Sequence, residues 1–361
     1  MMNIAIIGAG VAGLSCAHEF EKYGIYPTIY EKKNFIGEQH PNVGAILEIY
    51  HRPIKDAVAY FRNNLSIDIK PLNTLNRLIH FSPSKTSEIK GDLGYFFERS
   101  KEEMDITRQL FAKLKNTWVL FNEYADYVTL SKEYDYVVIA NGGVDFTNEL
   151  GCWKQWMNTY IRGAIVHGDF DPGAFMVWLD KDYCKNGYAY LAPFSSTRAA
   201  VAVVVTDIDE AELEAYWEKF LDTENIKYTI EEEFKRNHTS GHVYPHRIGN
   251  LYLAGNAAGA LDPLFGFGIM NSIATGVFAA RSIVKGEDYE KMIRKIVNRN
   301  LRLYEYRKAL NMVDNIGYDV LVSSVGIPGI KHLVYHSPIN VVKYGSGILR
   351  ALPKRRTKET K

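Results

Sequence analysis

The chain has 361 residues, enough for two units of about 150 residues or for one large doubly wound domain carrying an inserted layer. Hydrophobic residues make up 47% and charged residues 24%, which excludes disordered, collagenous and coiled-coil chains. The 43 basic and 42 acidic residues leave a net charge of +1, so nothing in the overall charge favours nucleic acid.

Cys16, Cys152 and Cys184 are far apart and show no CxxC spacing. Neither a disulfide framework nor a thiolate zinc site is expected, as in a reducing, cytoplasmic setting. The longest apolar run, Ala199 to Val205, is far short of the roughly 18 residues that cross a bilayer. Met1, Met2 and Asn3 place no basic residue before the first apolar run, so a signal peptide is not expected.

Asn3 to Ile7 reads as a short buried strand, apolar, β-branched and bounded by glycine. Gly8-Ala9-Gly10-Val11-Ala12-Gly13 follows, then a helical stretch from Leu14 to about Tyr23 that stops at Gly24. A second strand, Pro27 to Tyr30, ends in Glu31, 18 positions after Gly13. This is the βαβ fingerprint of a dinucleotide site. Gly8 permits the turn, Gly10 admits a pyrophosphate, and Gly13 lets helix and strand pack closely. The free N–H groups at the helix start face the phosphates. Glu31 is placed to accept from both ribose hydroxyls, which disfavours a 2′-phosphate.

Two later segments extend the pattern. Tyr134 to Gly143 is a β-branched strand running into the turn Asn141-Gly142. Asn250 to Gly276 holds a strand (Leu251 to Ala254), the turn Gly255-Asn256, a loop with Pro263 and Gly266, and a helix entered near Gly268 and Ile269. Here the chain resembles the FAD-dependent oxidoreductases of the p-hydroxybenzoate hydroxylase type, and within them the geranylgeranyl reductase family. The late GDAAG…DPxxGxGI segment of that family matches Gly255 to Ile269, and its YxWxFP motif resembles Tyr188 to Pro193. The stretch Ser84 to Arg99 is similar to one that ends in an arginine before a helix. The chain departs from the pattern where aspartates become Asn141 and Asn256. An asparagine oxygen still accepts a hydrogen bond, but each site loses a negative charge.

The resemblance implies an α/β fold: a Rossmann-type FAD-binding domain, an inserted β-rich substrate domain and a C-terminal helical extension. The expected boundaries are 1–75, 96–150 and 246–286 for the nucleotide domain, 76–95 and 155–245 for the substrate domain, and 287–361 for the extension. FAD is the implied cofactor, held by Gly8, Gly10, Val11, Ala12, Gly13, Glu31, Lys32, Arg99, Asn141, Gly142, Gly255, Asn256, Pro263, Gly266, Gly268 and Ile269. A helix start near Gly268 would present unpaired N–H groups to charge developing on a reduced ring.

Between these segments the runs 163–167, 174–179, 187–191, 199–206 and 239–244 read as strands, with a helix over 209–221 and further strands within 78–97, broken at SPSKTS and Lys90-Gly91-Asp92. Tyr188 and Tyr190 share one strand face and, with Pro193 and Phe194, are candidates to line a substrate pocket. His40, in a loop expected over 37–44, is a candidate proton donor. His238, His242 and His246 recur every four residues, about 13 Å apart on a strand, too far to share a metal ion.

Tyr289 to Met312 is an amphipathic helix. Behind it an apolar stretch precedes a tail with Lys354, Arg355, Arg356, Lys358 and Lys361, either a solvated terminus or a peripheral membrane contact. The resemblance points to reduction of C=C bonds in an isoprenoid or other apolar substrate, with electrons from NAD(P)H or a ferredoxin-like donor. A flavin-dependent monooxygenase on an aromatic substrate is the alternative on the same fold. A flavin-free binding protein, as in the GDP-dissociation inhibitors, is the alternative outside enzymology.

Overall fold

A computed structural model of the protein describes residues 2–38 and 40–345; the basic tail lies outside the described residues. Two sheets organise the chain. The first orders its strands Arg247–Ile248, Leu251–Leu253, Tyr136–Ile139, Ile4–Ile7, Thr28–Glu31 and Trp118–Phe121. All neighbours are parallel except the first pair. Ile4–Ile7 is fully buried at its centre, as a doubly wound sheet covered on both faces requires.

Register decides what this sheet does. Ile7 pairs with Tyr30 and Ile139, and Ile139 pairs with Leu253. The three strands that flank or follow the fingerprint therefore end in one row. Their carboxyl ends release Gly8, Asn141 and Gly255 side by side, at the edge where ligands of such sheets bind.

The second sheet has eight strands, ordered Thr229–Val243, Trp153–His167, Arg198–Thr206, Tyr188–Pro193, Ala174–Trp178, Asn73–Ser82, Lys85–Arg99 and Asn42–Leu47. Its alternation separates two cores. Tyr188, Ala192, Ala200 and Val204 pack on one face with Phe96, Phe175 and the loop aromatics Phe265 and Phe267. Ala189, Leu191, Val201 and Val203 point to the other face, under Trp217 and Phe220 of helix Leu213–Thr223.

The structure moves several expected boundaries. The first helix is Val11–Glu21, so it begins inside the fingerprint rather than at Leu14. The stretch expected to form a loop over 37–44 instead enters the strand Asn42–Leu47, which pairs antiparallel with 94–99. The antiparallel sheet thus reaches into segments assigned by sequence to the nucleotide domain. SPSKTS supplies only the tight turn between Ser82 and Lys85, and Lys90-Gly91-Asp92 continues a single strand. The run 239–244 is the end of the 15-residue strand Thr229–Val243. Helices Ala57–Leu65 and Asn315–Gly326 have no counterpart in the sequence reading.

Helices Val11–Glu21 and Ile269–Lys285 lie against each other with almost no intervening side chain. A Cβ on Gly276 would stand 2.1 Å from the backbone oxygen of Ala12, and one on Gly13 would stand 2.0 Å from that of Gly8. Glu19, buried in the first helix, joins the pair electrostatically through Arg281 Nε at 2.7 Å.

Candidate functional site

A cleft of about 330 Å³ follows the row of strand ends. Its walls include Gly8, Gly10, Val11, Ala12, Glu31 and Lys32 at one end, Asn141 and Gly142 in the middle, and Gly255, Asn256, Gly266, Gly268 and Ile269 at the other. Arg99 also lines it, with Glu38, Asn42 and Gly44 from the segment expected as a loop over 37–44, and with Lys33 and Phe267, which sequence reasoning did not single out. Gly13 and Pro263 stand outside it. Gly13 serves the packing described above, and Pro263 belongs to the loop behind the far wall.

Each end is held by backbone geometry. Gly8 adopts φ +105°, and a Cβ there would meet the Ala140 oxygen at 2.5 Å, so the turn requires glycine. Glu31 is fixed by two backbone donors: Ala9 N–H to Oε2 at 2.8 Å and Lys33 N–H to Oε1 at 2.9 Å. Its carboxylate keeps lone pairs for hydroxyl donors. A hollow of about 70 Å³ beside it, walled by Tyr30, Tyr124, Ala125 and Phe146, suits a flat ring.

The two packed helices both start at the cleft without a side-chain cap. Gly10 is the N-cap of Val11–Glu21 and Gly268 that of Ile269–Lys285, and neither offers a side-chain acceptor. Their first N–H groups and positive dipole ends are therefore available to anionic charge.

The two asparagines have distinct surroundings. Asn256 Nδ2 donates to the Gly142 oxygen at 3.2 Å, tying the late turn to the central one. A carboxylate could not make this bond. Asn141 Oδ1 is buried with no partner, as is Arg99 Nε. Unpaired buried polar atoms are costly, and these two border the cleft. Polar groups of a bound dinucleotide would satisfy both. Together with the uncapped helices and the glycine approaches, they make the donor set fit FAD.

Glu38 and Arg99 form an ion pair inside the cleft wall. Burial pulls the Glu38 carboxyl up, but Arg99, Lys33 and Arg236 outweigh it and hold the group below its usual range. His40 departs from its expected role. Its Nδ1 meets Glu232 Oε1 at 2.6 Å and its backbone oxygen accepts from Arg236. It fastens its loop to strand Thr229–Val243 and does not line the cleft.

Tyr188 and Tyr190 do share a face, with ring centroids 6.1 Å apart, but they stand behind the loop rather than in the cleft. The Tyr188 hydroxyl donates to the Phe265 oxygen. The three histidines diverge: His238 stands against Gly266, His242 stacks on Trp156 and His246 Nδ1 meets Glu290 Oε2 at 2.8 Å.

The far wall depends on residues with no obvious motif. The Asp262 carboxylate accepts the N–H groups of Leu264 (2.8 Å), Phe265 (2.9 Å) and Phe267 (2.6 Å), folding the loop around itself. Burial pulls its pKa up, and those donors with Arg307 only partly offset this. Helix Tyr289–Asn311 grips the loop from behind. Asn300 Nδ2 donates to Gly259 O at 2.9 Å, and Arg307 donates to the carbonyls of Pro263, Leu264 and Asn186. Thr275 Oγ1 accepts the Gly255 N–H at 3.0 Å.

A second cavity, about 420 Å³, opens beyond the end of strand Asn42–Leu47 between Glu48, Arg52, Leu93 and Tyr335. Burial, with Asp56 and Asp92 adding repulsion, pushes the Glu48 carboxyl up to about 7. Because the folded pKa exceeds the unfolded one, the protein loses stability as pH rises from about 4.5 to 7. Glu48→Gln is expected to raise stability at pH 8 by about 1 kcal/mol, discounted for partial exposure, and to change little at pH 4. Urea denaturation at the two pH values checks this, and an equal effect at both would refute it.

Residues 2–153 match the pyridine nucleotide-disulphide oxidoreductase family. A digeranylgeranylglycerophospholipid reductase of Methanothermobacter thermautotrophicus is 25% identical, over 97% of this chain and 98% of that protein. A geranylgeranyl bacteriochlorophyll reductase-like protein of Thermoplasma acidophilum superposes with a TM-score of 0.74 at 18% identity, covering 97% and 100% of the two chains. The p-nitrophenol 4-monooxygenase of Pseudomonas putida superposes at 0.66 and 15% identity, over 92% and 97%. Residues 2–153 are thus similar to the pyridine nucleotide-disulphide oxidoreductases, and nearly the whole chain shares the fold of the geranylgeranyl bacteriochlorophyll reductase-like structure.

Proposed function

We propose that the protein is an FAD-dependent oxidoreductase that reduces C=C bonds of an isoprenoid or similarly apolar substrate. The observation that supports this most is the continuous cleft from Glu31 to Ile269, bordered by two uncapped helix starts and two unsatisfied polar atoms. Glu31 and the hollow beside it would hold the adenosine, and Gly10 with Arg99 the pyrophosphate. Asn141 Oδ1 would accept a hydroxyl of the ribityl chain. The turn Gly266 to Ile269 would face the ring.

A bound flavin supplies the hydride chemistry. The chain's own contribution is placement and charge. The first N–H groups of helix Ile269–Lys285 stabilise negative charge beside them in a site that needs no reorganisation. Asp262 and Arg307 keep that helix start where it is. Phe267 lines the cleft and is backed by Tyr50 and Phe265, with ring centroids 6.0 Å apart in both pairings with Tyr50, which makes that stretch of wall apolar. Such a surface suits an alkene and excludes water.

The full-length similarity to a protein named a digeranylgeranylglycerophospholipid reductase favours reduction over hydroxylation. The expected result is a yellow purified protein, or one that turns yellow with FAD. Reduced anaerobically by NADH, NADPH or reduced ferredoxin, it should consume an isoprenoid alkene. Substrate-stimulated oxygen consumption without alkene reduction would move the assignment to the monooxygenase. A protein that stays colourless with FAD would leave only a flavin-free scaffold.

Asn141→Leu separates the cofactor's needs from the fold's. It removes a buried acceptor that has no partner in the protein, so the flavin-free protein should be as stable as the parent or up to about 1 kcal/mol more so. Flavin affinity should fall about tenfold through the lost hydrogen bond. Thermal unfolding with and without FAD measures both, and a variant destabilised in both states would contradict the role.

A further inference from the structure

We propose that the outer face of the C-terminal helices is a docking surface for an anionic lipid bilayer. Helix Asn315–Gly326 is sided in an unusual way. Tyr318 and Val322 are buried, Tyr318 under Lys181, and the helix packs on the hairpin Asn73–Ser82 and Lys85–Arg99. The Asp319 carboxylate accepts from Ser82 Oγ at 2.7 Å and from the Ser84 N–H at 3.0 Å, which pins the helix to the hairpin turn.

The opposite face should then be polar, as on an ordinary surface helix. It is apolar. Ile316 and Val320, 74% and 60% exposed, share that face one turn apart, and Met312 and Ile327, 80% and 51% exposed, flank it just before and just after the helix. Ile330 and Leu333 continue it through the next turns. Between Asp314 and Lys331 the only charged residue is Asp319, which is turned to the serines. Contiguous exposure of this kind marks an interaction site.

Charge selects the occupant. The sequence from Lys343 to Lys361 carries seven basic residues, Lys343, Arg350, Lys354, Arg355, Arg356, Lys358 and Lys361, against the single acid Glu359. An apolar helix face joined to such a segment has the composition of an interfacial membrane binder, and cations near an anionic leaflet add electrostatic attraction to it. No helix among the described residues is long and apolar enough to cross a membrane, so the helix would lie on the surface. The second cavity is walled by Tyr335 to Pro338, directly after the stripe. Arg52 fixes that wall by donating to the Tyr335 and Ile339 carbonyls at 2.7 and 2.8 Å. A bilayer seated on the stripe would bring lipid chains beside this opening. The inference deepens the reading of an apolar substrate, but docking itself needs neither flavin nor turnover.

The test is co-sedimentation of the full chain with phosphatidylcholine–phosphatidylglycerol vesicles, with and without added FAD. The wild type should sediment with the vesicles and be released by high salt. Ile316→Glu with Val320→Glu should bind about tenfold more weakly, while its thermal unfolding and its mass in solution match the parent. Met312→Ser with Ile327→Ser should weaken binding in the same direction, which guards against a local defect of the first pair. Wild type remaining in the supernatant would overturn the proposal, as would variants that bind undiminished. So would a lipid-free dimer that the substitutions turn into monomers, since the stripe would then belong to a second copy. If the protein proves unable to bind flavin or reduce an alkene, the vesicle result is still read independently.

Discussion

Gly276→Ala is expected to destabilise the protein by about 3 kcal/mol, near the upper end of what one overpacked methyl costs. Its Cβ would stand 2.1 Å from Ala12 O and 3.0 Å from Ala12 C, both backbone atoms with no rotamer to give way. Relief comes only from separating helices Val11–Glu21 and Ile269–Lys285. These are the helices whose starts border the cleft, and Gly255 also sits against Ala12, where a Cβ would meet that of Ala12 at 2.9 Å. Parting them would shift both rows of free N–H groups at once. Flavin affinity should therefore fall more than tenfold even where the variant stays folded. Gly286→Ala is the control. It is a helix C-cap with φ +67° and open space around its Cβ, so it should cost only about 1 kcal/mol of backbone strain and leave affinity unchanged. Equal effects of the two substitutions would show that the close approach does not matter.

The fingerprint was legible because it is local. Gly8 to Glu31 specifies strand, turn, helix and acid within one βαβ unit, and the structure places Gly8, Gly10 and Glu31 on one wall. The late segment was legible for the same reason, as a run of glycine and proline with a fixed order. What the sequence did not disclose depends on partners distant in the chain. Asn42–Leu47 forms a strand because 94–99 offers it an edge, some fifty positions later. Its glycine, Gly44, reads as a loop residue. In the fold it lets the strand pass the Ile269 side chain, which a Cβ there would meet at 2.6 Å. His40 looked like an acid beside the cofactor because no sequence rule reveals Glu232 as its partner. Tyr188 and Tyr190 were placed correctly on one face, but alternation cannot tell a pocket wall from the support behind a loop.

The clearest omission is the role of helix Tyr289–Asn311. Its periodicity was readable, yet periodicity assigns Asn300 and Arg307 to water, whereas both are buried. They are stable inside because loop carbonyls need donors: Gly259 for Asn300, and Pro263, Leu264 and Asn186 for Arg307. Their spacing of seven puts them on the same side of the helix, so one face grips the loop that shapes the Gly266 to Ile269 end of the cleft.

Arg307→Leu should accordingly cost about 3 kcal/mol, since it leaves buried carbonyls without their charged donor. Asp262 would lose a nearby positive charge that opposes the upward pull of burial on its pKa. The sign of the pH effect follows. An acid whose folded pKa lies above its unfolded value weakens the fold as pH rises from the unfolded pKa to the folded one. Raising the folded pKa further extends that window upward, so the variant's deficit should be larger at pH 7 than at pH 4. Arg307→Lys keeps the charge but not the fork that reaches three carbonyls. It should recover the pH dependence of the parent while staying less stable and binding flavin more weakly. Denaturant titrations of the three proteins at both pH values, paired with flavin binding, decide the matter. A leucine variant with parental affinity would show that the loop holds its shape unaided. A lysine variant indistinguishable from leucine at every pH would show that Asp262 does not sense the charge behind it.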